Sequence, residues 1–255
     1  QLSGADFGLR ASTGKAAFEL SGGTLTATLA GFGSLSAANI KVQYTSAGAT
    51  ITAATDDVTV GSASYDFTED IAEKTISFSL TDLTASVSSF VSLTGGSVGF
   101  KLTVAGTELI AAGEDLTARL SAGGAFVQLA GANFGLRAAS AGATAFELSG
   151  GTLTATLGGF ASLTATNIKV QYTSAGTTIT AGDEVAVGDA TYEFTEDIAE
   201  KTIAFSLTNL TASVSDFVSL TGGSVGFKLT GTGADLKLIA AGEDLTARLS
   251  AGGAF

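Results

Sequence analysis

Apolar and polar residues alternate along most of the chain with a period of two. The clearest runs are Leu25-Ala27-Leu29, Ile40-Val42-Tyr44, Ile76-Phe78-Leu80 and Val98-Phe100-Leu102, which recur as Leu153-Ala155-Leu157, Ile168-Val170-Tyr172, Ile203-Phe205-Leu207 and Val225-Phe227-Leu229. Thr, Ser, Lys, Glu and Gln fill the positions between them. Because successive side chains of a β-strand point to opposite faces of a sheet, the pattern predicts strands with one buried and one hydrated face.

Glycine pairs interrupt the alternating runs at short intervals, as at Gly22-Gly23, Gly95-Gly96 and Gly123-Gly124. Glycine adopts the positive φ angles of tight hairpins at low cost, which favours antiparallel connections. No segment has a helical period, apart from one helical turn expected at 68–74 and again at 195–201. The predicted fold class is therefore all-β, with short antiparallel strands.

The chain is close to one sequence written twice. QLSGADFGLRA opens the first copy and QLAGANFGLRA the second, and GEDLTARLSAGGAF closes both. We predict two structural units, repeat 1 at 1–127 and repeat 2 at 128–255. The copies differ in length only at 10–18, 53–58 and 102–109, where insertions indicate surface loops. Because the chain contains no methionine, we expect it to be either a processed chain or an excerpt from a longer array of such repeats.

The boundary between the repeats carries no linker. From Arg119 to Phe134 the sequence RLSAGGAFVQLAGANF keeps its alternating apolar residues and contains neither proline nor a charged run. We expect β-sandwich-like modules that are tightly docked, with a continuous β-solenoid as the alternative. The absence of proline leaves strand edges unprotected, which fits strands that pair with a neighbouring unit.

Six phenylalanines of repeat 1 lie on the apolar phase and are expected in the core: Phe18, Phe32, Phe67, Phe78, Phe90 and Phe100. Phe7 and Phe126 lie near the ends of the repeat instead. We expect these two to pack against a neighbouring unit, because aromatic side chains bury a large apolar area.

Composition excludes most catalytic and soft-metal chemistry. The chain has no His, Cys, Met, Trp or Pro. Catalytic triads of the usual kind, zinc fingers, haem or iron–sulfur ligation and redox thiols need His or Cys, so we predict that the protein is not an enzyme and that oxygen atoms hold any metal. No stretch approaches the roughly 18 consecutive apolar residues of a membrane helix, so no transmembrane segment is expected.

The charge is strongly negative. The chain has 24 Asp and Glu against 12 Lys and Arg, which gives a net charge of −12. Such a field repels nucleic acid and anionic lipid and keeps a crowded array soluble. We therefore expect no nucleic-acid partner, and divalent cations are the natural counter-ions.

Carboxylates cluster most densely in one turn of each repeat. The positions are Asp66, Glu69, Asp70 and Glu73, matched by Glu193, Glu196, Asp197 and Glu200. Hard cations need several oxygen ligands that converge from a loop, so these residues are the candidate calcium ligands, although their spacing is not that of an EF-hand. A solvated acidic turn, or acidic residues at the start of a short helix, is the alternative interpretation.

Threonines form a TxTxT row on one strand face of each repeat. The rows are Thr24, Thr26 and Thr28, and Thr152, Thr154 and Thr156. Ranks of hydroxyls are typical of an ice-binding or glycan-binding surface, but such a surface needs many stacked rows. Ordinary β-propensity explains threonine on a hydrated face equally well.

The chain contains the blocks SLTGGSVGFKL, NIKVQYTSAGTTIT and LIAAGEDLTARLSAGGAFVQLAGANFGL. These blocks resemble the tandem repeats of giant bacterial secreted and cell-surface proteins, the RTX-type adhesin and matrix class, and the resemblance covers nearly the whole chain. It implies an extracellular or cell-surface array that is often stiffened by calcium. The nonapeptide GGxGxD, which binds calcium in the RTX β-roll, does not occur here, so no β-roll calcium sites follow from the resemblance.

The predicted function is a structural repeat of a bacterial extracellular or cell-surface array, as in an adhesin stalk, a biofilm matrix fibre or a surface filament. Its expected partners are further copies of the same repeat, in the same chain or in neighbouring chains. The alternative is a multivalent binding module for glycan, calcium or ice. The segments that differ in length are rich in Ala, Gly, Ser and Thr, which favours spacing over recognition.

Overall fold

The computed structural model describes residues 1–29, 32–103, 107–231 and 236–250. Repeat 1 contains β1 (Leu2–Ser12), β2 (Lys15–Leu29), β3 (Gly33–Thr45), β4 (Val58–Val60), β5 (Ala63–Tyr65), β6 (Ile76–Val87), β7 (Val91–Thr94), β8 (Ser97–Thr103) and β9 (Glu108–Ala122). The chain continues with β10 (Ala125–Ala139), β11 (Thr144–Leu157), β12 (Ala161–Thr173), β13 (Glu184–Val187), β14 (Ala190–Glu193), β15 (Ile203–Val214), β16 (Val218–Thr221), β17 (Ser224–Thr230), β18 (Lys237–Glu243) and β19 (Thr246–Leu249). The described residues form no helix, which confirms the all-β prediction.

Fifteen strands form one antiparallel sheet that follows the order of the chain. The path is β1-β2-β3-β6-β7-β9-β10-β11-β12-β15-β16-β19; β8 lies between β6 and β9, and β17 and β18 continue from β15. β4-β5 and β13-β14 are separate two-stranded hairpins. Because β9 pairs directly with β10, the two repeats share one open sheet. The repeats are therefore joined more closely than two separate sandwiches would be.

Each long strand is interrupted near its middle by residues with positive φ. These residues lie side by side across the sheet and form a transverse seam: Gly4, Gly22-Gly23, Asn39, Asp82, Gly95-Gly96, Asp115, Gly131, Gly150-Gly151, Asn167, Asn209, Gly222-Gly223 and Asp244. Gly, Asn and Asp tolerate this conformation best. The prediction of a hairpin turn is correct at Gly123-Gly124 but wrong at Gly22-Gly23, which lies within β2. It is also wrong at Gly95-Gly96, because this pair joins β7 to β8 and both of these strands pair with β6.

The seam divides the sheet into two halves. The hairpin half contains 15–22 of β2, 40–45 of β3 and the segments paired to them; the hydroxyl half contains 24–29, 33–38 and their paired segments. Apolar side chains from both halves meet in shared cores at Ala37, Ile40, Leu80, Leu83 and Val98 in repeat 1 and at Ala165, Ile168, Leu207 and Leu210 in repeat 2. The two halves of the sheet therefore share one hydrophobic core within each repeat.

The polar face of the hairpin half is covered rather than hydrated. The connection between β3 and β6, residues 46–75, folds over it and carries the β4-β5 hairpin; we call this segment, with its counterpart 174–202 in repeat 2, the excursion. Glu19 and Gln43 are buried beneath it. The prediction of a hydrated face is wrong here, because the period of a sequence shows which face is polar and not what later folds over it.

Two local predictions also differ from the structure. At 68–74 the chain forms a bend and a turn instead of a helix, because Ile71 is paired with Ile51 in an isolated bridge. Phe67 is buried as predicted, but Phe100 is 45% exposed and Phe32 and Phe90 are more than half exposed. Phe32 and Phe90 lie in the turns after β2 and β6, beyond the core along the seam.

Candidate assembly interface

The two repeats meet where the β13-β14 hairpin of repeat 2 lies across β8, β9 and β10 of the shared sheet. Val185, Val187 and Ala190 of this hairpin are 1%, 2% and 0% exposed. Val185 and Ala190 belong to one hydrophobic cluster with Ala112 of β9. A single core therefore crosses the boundary between the sequence repeats.

Small residues make room for the hairpin on the surface of repeat 1. A Cβ at Gly99 of β8 would collide with the backbone carbonyl and side chain of Val187. At the tip of the hairpin, Gly188 has a φ of 58° and rests on Ser79 of β6. Any larger residue at these two glycines would push the hairpin away from the sheet, so the close approach fixes its position.

Strand pairing and hydrogen bonds that use side chains complete the junction. β9 and β10 pair along most of their length. Phe134 of β10 lies opposite Gly113 of β9, and its ring fills the space that a side chain at Gly113 would need. Above the sheet, the Thr191 hydroxyl donates to Glu114 Oε1 at 2.9 Å. Polar and apolar contacts thus define one position of the hairpin on its neighbour.

A buried carboxylate fastens each excursion to the sheet. In repeat 2 this is Glu147 of β11, whose Oε1 accepts from the Tyr192 hydroxyl at 2.7 Å, the Thr195 N–H at 2.9 Å and the Thr195 hydroxyl at 2.8 Å. Its Oε2 accepts from Gln171 Nε2 at 2.7 Å, and the same amide donates to Glu196 Oε1 at 2.6 Å. One glutamate therefore connects three strands and the acidic turn.

Hydrogen bonds decide the ionisation of this carboxyl. Burial alone would raise the pKa of Glu147, but donors from Gln171, Thr195 and Tyr192 outweigh burial and hold that pKa below its ordinary value. Burial raises the pKa of the Tyr192 phenol, and the neighbouring carboxylate raises it further. At neutral pH the pair is a carboxylate and a neutral phenol, which is a structural contact rather than a proton-transfer couple.

Repeat 1 contains the same arrangement around Glu19. Its Oε1 accepts from the Tyr65 hydroxyl and the Thr68 N–H, both at 2.8 Å, and its Oε2 accepts from Gln43 Nε2 at 2.7 Å. These residues were not predicted from the sequence, because they lie on the phase expected to be hydrated. The signal that could have found them is a Glu and a Gln facing each other on the strands that precede the longest connection of each repeat.

The structure separates the predicted calcium ligands. Six of them accept hydrogen bonds from different backbone or side-chain donors: Glu69, Asp70, Glu73, Glu196, Asp197 and Glu200. The other two, Asp66 and Glu193, are exposed. Within the described ranges, no group of three or more acidic residues is placed to hold a metal ion. Calcium binding stays a prediction.

The threonine rows are part of a larger surface on the outer face of the hydroxyl half. Pairing registers place one cross-strand row at Thr28, Ser34, Ser86, Ser92, Arg119, Gln128, Thr154, Thr164, Thr211, Thr221 and Thr246. None of these residues is buried. Stacked hydroxyl rows, which the sequence alone did not show, are therefore present, and Arg119 and Gln128 interrupt them where the repeats meet.

No protein-family model matches this chain, and no curated protein or solved structure matches it either. The part of the chain that the structure describes contains no helix long and apolar enough to cross a membrane.

Proposed function

We propose that the chain is a structural spacer, a repeat of a bacterial extracellular or cell-surface array that extends by adding strands to one sheet. The observation that carries this proposal is the junction, where β9 pairs with β10 and the β13-β14 hairpin is buried on repeat 1. Across the sheet, repeat 1 occupies six successive strand positions, which are β1, β2, β3, β6, β7 together with β8, and β9. Neighbouring strands lie about 4.8 Å apart, so each repeat lengthens the array by roughly 30 Å.

Other properties support the same role. A flexible linker lets domains tumble, whereas paired strands and a buried hairpin hold two units in one orientation. The net charge of −12 keeps neighbouring arrays apart and hydrated. The resemblance to RTX-type adhesin and matrix repeats supports an extracellular or cell-surface location, with further copies of the repeat as partners.

Distance measurement tests the spacer directly. Thr59 and Ala186 occupy equivalent exposed positions in the two repeats, and the native chain has no cysteine. Spin labels on Thr59→Cys and Ala186→Cys should give a narrow distribution centred at roughly 30 Å by double electron–electron resonance. Single-cysteine chains control for distances between molecules. A broad distribution would mean that the repeats move independently, and the proposal would be wrong.

The hydroxyl surface supports a second candidate function. Across the sheet, hydroxyl residues lie on each successive strand, and along a strand they recur at every second residue. This arrangement presents a regular lattice of hydroxyls to ice or to a surface glycan. We expect Thr164→Lys to abolish thermal hysteresis or glycan-array binding, since lysine interrupts the lattice without disturbing the opposite, apolar face. If the unmodified chain has neither activity, this second candidate is wrong.

A further inference from the structure

The hairpin that is buried in repeat 2 is bare in repeat 1. Val60 of β4 is 75% exposed, although its equivalent Val187 is almost fully buried. A side chain at Gly61, the turn residue of the first hairpin, would meet no atom, whereas Gly188 rests on Ser79. The two hairpins have similar sequences, so the difference lies in what packs against them.

The opposite end of the sheet carries the matching surface, also bare. Gly226 of β17 is equivalent to Gly99, but a Cβ there would be 3.6 Å from its nearest neighbour, which is an ordinary contact. Ala241 of β18 is exposed, whereas its equivalent Ala112 in β9 is fully buried. Gly226 and Ala241 line an open groove together with Ile239. This groove corresponds to the surface of repeat 1 that receives the hairpin of repeat 2.

We propose that these two ends bind each other between molecules: β1 and the β4-β5 hairpin of one chain dock on β17 and β18 of a second copy. This proposal rests on the proposed function. A second copy of the chain is the expected occupant of β17 and β18, because the equivalent surface of repeat 1 is filled by repeat 2 of the same chain. Transferring the β9-β10 register to the two ends places Phe7 opposite Gly242. Phe7, which is 64% exposed, then lies over this glycine as Phe134 lies over Gly113.

Polar groups at the two ends also match. The internal hydrogen bond from Thr191 to Glu114 has its equivalents in the hydroxyl of Ser64 and the carboxylate of Glu243. Among the described strands, β1 pairs only with β2, and β18 pairs only with β17. Each therefore offers an edge of backbone N–H and C=O groups to a further strand. Since the two ends are different surfaces, the contact is heterologous and does not close a dimer, so it leads to an open filament.

Sedimentation velocity of the 255-residue chain from micromolar to millimolar concentration tests the docking. We expect a series of oligomers that grows with concentration. Val60→Asp blocks one end and Gly226→Val blocks the other, so each variant alone should lose all species above monomer. An equimolar mixture of the two variants should recover a dimer and nothing larger, because each chain keeps one working end.

Leu157→Asp is the matched control, since Leu157 is an exposed residue at the end of β11, a strand that pairs with neither end of the sheet. It should assemble like the unmodified chain, and circular dichroism should show that all three variants fold. A chain that stays monomeric at every concentration overturns the docking proposal, as do oligomers that both end variants leave unchanged. If the spin-label distance is nevertheless narrow, the spacer function stands and only the docking between chains is wrong.

Discussion

At the scale of single residues, Glu147 makes the contacts on which the attachment of its excursion depends. Glu147→Gln would turn an acceptor into a donor facing the Tyr192, Thr195 and Gln171 donors. Hydrogen bonds to a buried charged group contribute about 1.5–3 kcal/mol each, so we expect the free energy of unfolding to fall by at least about 2 kcal/mol in urea titrations. Glu193→Gln makes the same change on an exposed strand and should alter it by less than about 0.5 kcal/mol. Equal losses in the free energy of unfolding for the two variants would contradict the role of Glu147 in attaching the excursion.

The lowered pKa of Glu147 predicts a dependence of stability on pH. When the folded pKa lies below the unfolded value of about 4.3, the unfolded chain takes up the proton first as the pH falls. The contribution of this carboxylate is therefore complete above about pH 4.3 and is lost as the pH falls through the lower, folded pKa. Because other carboxyls titrate in the same range, the useful quantity is the stability difference between the unmodified chain and Glu147→Gln. It should shrink between pH 7 and pH 3, and a constant difference would contradict this prediction.

The seam was not predicted from the sequence, although its glycine pairs indicate positive φ. Asn39, Asp82 and Asp115 occupy positive φ within strands, where most residues are strained. The sequence shows them as ordinary polar residues on a hydrated face. Only the pairing register reveals that they align across the sheet with the glycine pairs, because alignment depends on partners far away in the chain.

At the scale of elements, the two hairpins form a controlled comparison within one molecule. Val187→Asp would place a charge without a partner in the buried junction and should lower the free energy of unfolding by about 3 kcal/mol or more. Val60→Asp makes the same change at the exposed equivalent position and should alter it by less than about 0.5 kcal/mol in dilute solution. Urea titration of both variants measures the difference. If the two substitutions cost the same, the second hairpin is not held by the first repeat.

The acidic turn supports a prediction about calcium. Asp70 and Glu73 already accept the Ala53 and Gly48 N–H groups, so they are not free to converge on an ion without breaking those bonds. We therefore expect the same melting temperature in calcium and in chelator. A site saturated at a hundred times its Kd would add about 2.7 kcal/mol, which shifts the melting temperature of a chain of this size by roughly 5–10 °C. A shift of that size would support calcium binding at the acidic turn and contradict this expectation.

Strand positions and the junction without a linker were predictable, because period-two alternation and turn residues are local signals. The cover over the hairpin half was not. A polar phase that contains Glu19 and Gln43 looks hydrated until 46–75 is known to fold back on it. The hairpin on the neighbouring repeat escaped prediction for the same reason, since Val185 and Val187 lie in a segment too short to show which surface they meet.

At the scale of the whole molecule, a shared sheet predicts shared unfolding. The β9-β10 ladder and the core around Ala112 would have to break if one repeat unfolded while the other stayed folded. Nearest-neighbour coupling of this kind makes adjacent repeats unfold together when the interface is strong. Scanning calorimetry should therefore give one transition in which the van't Hoff and calorimetric enthalpies agree. In Val187→Asp, the weakened junction should separate the transitions or lower the ratio of the two enthalpies. A ratio near one half in the unmodified chain would mean that each repeat unfolds alone, and the junction could not then transmit stiffness along an array.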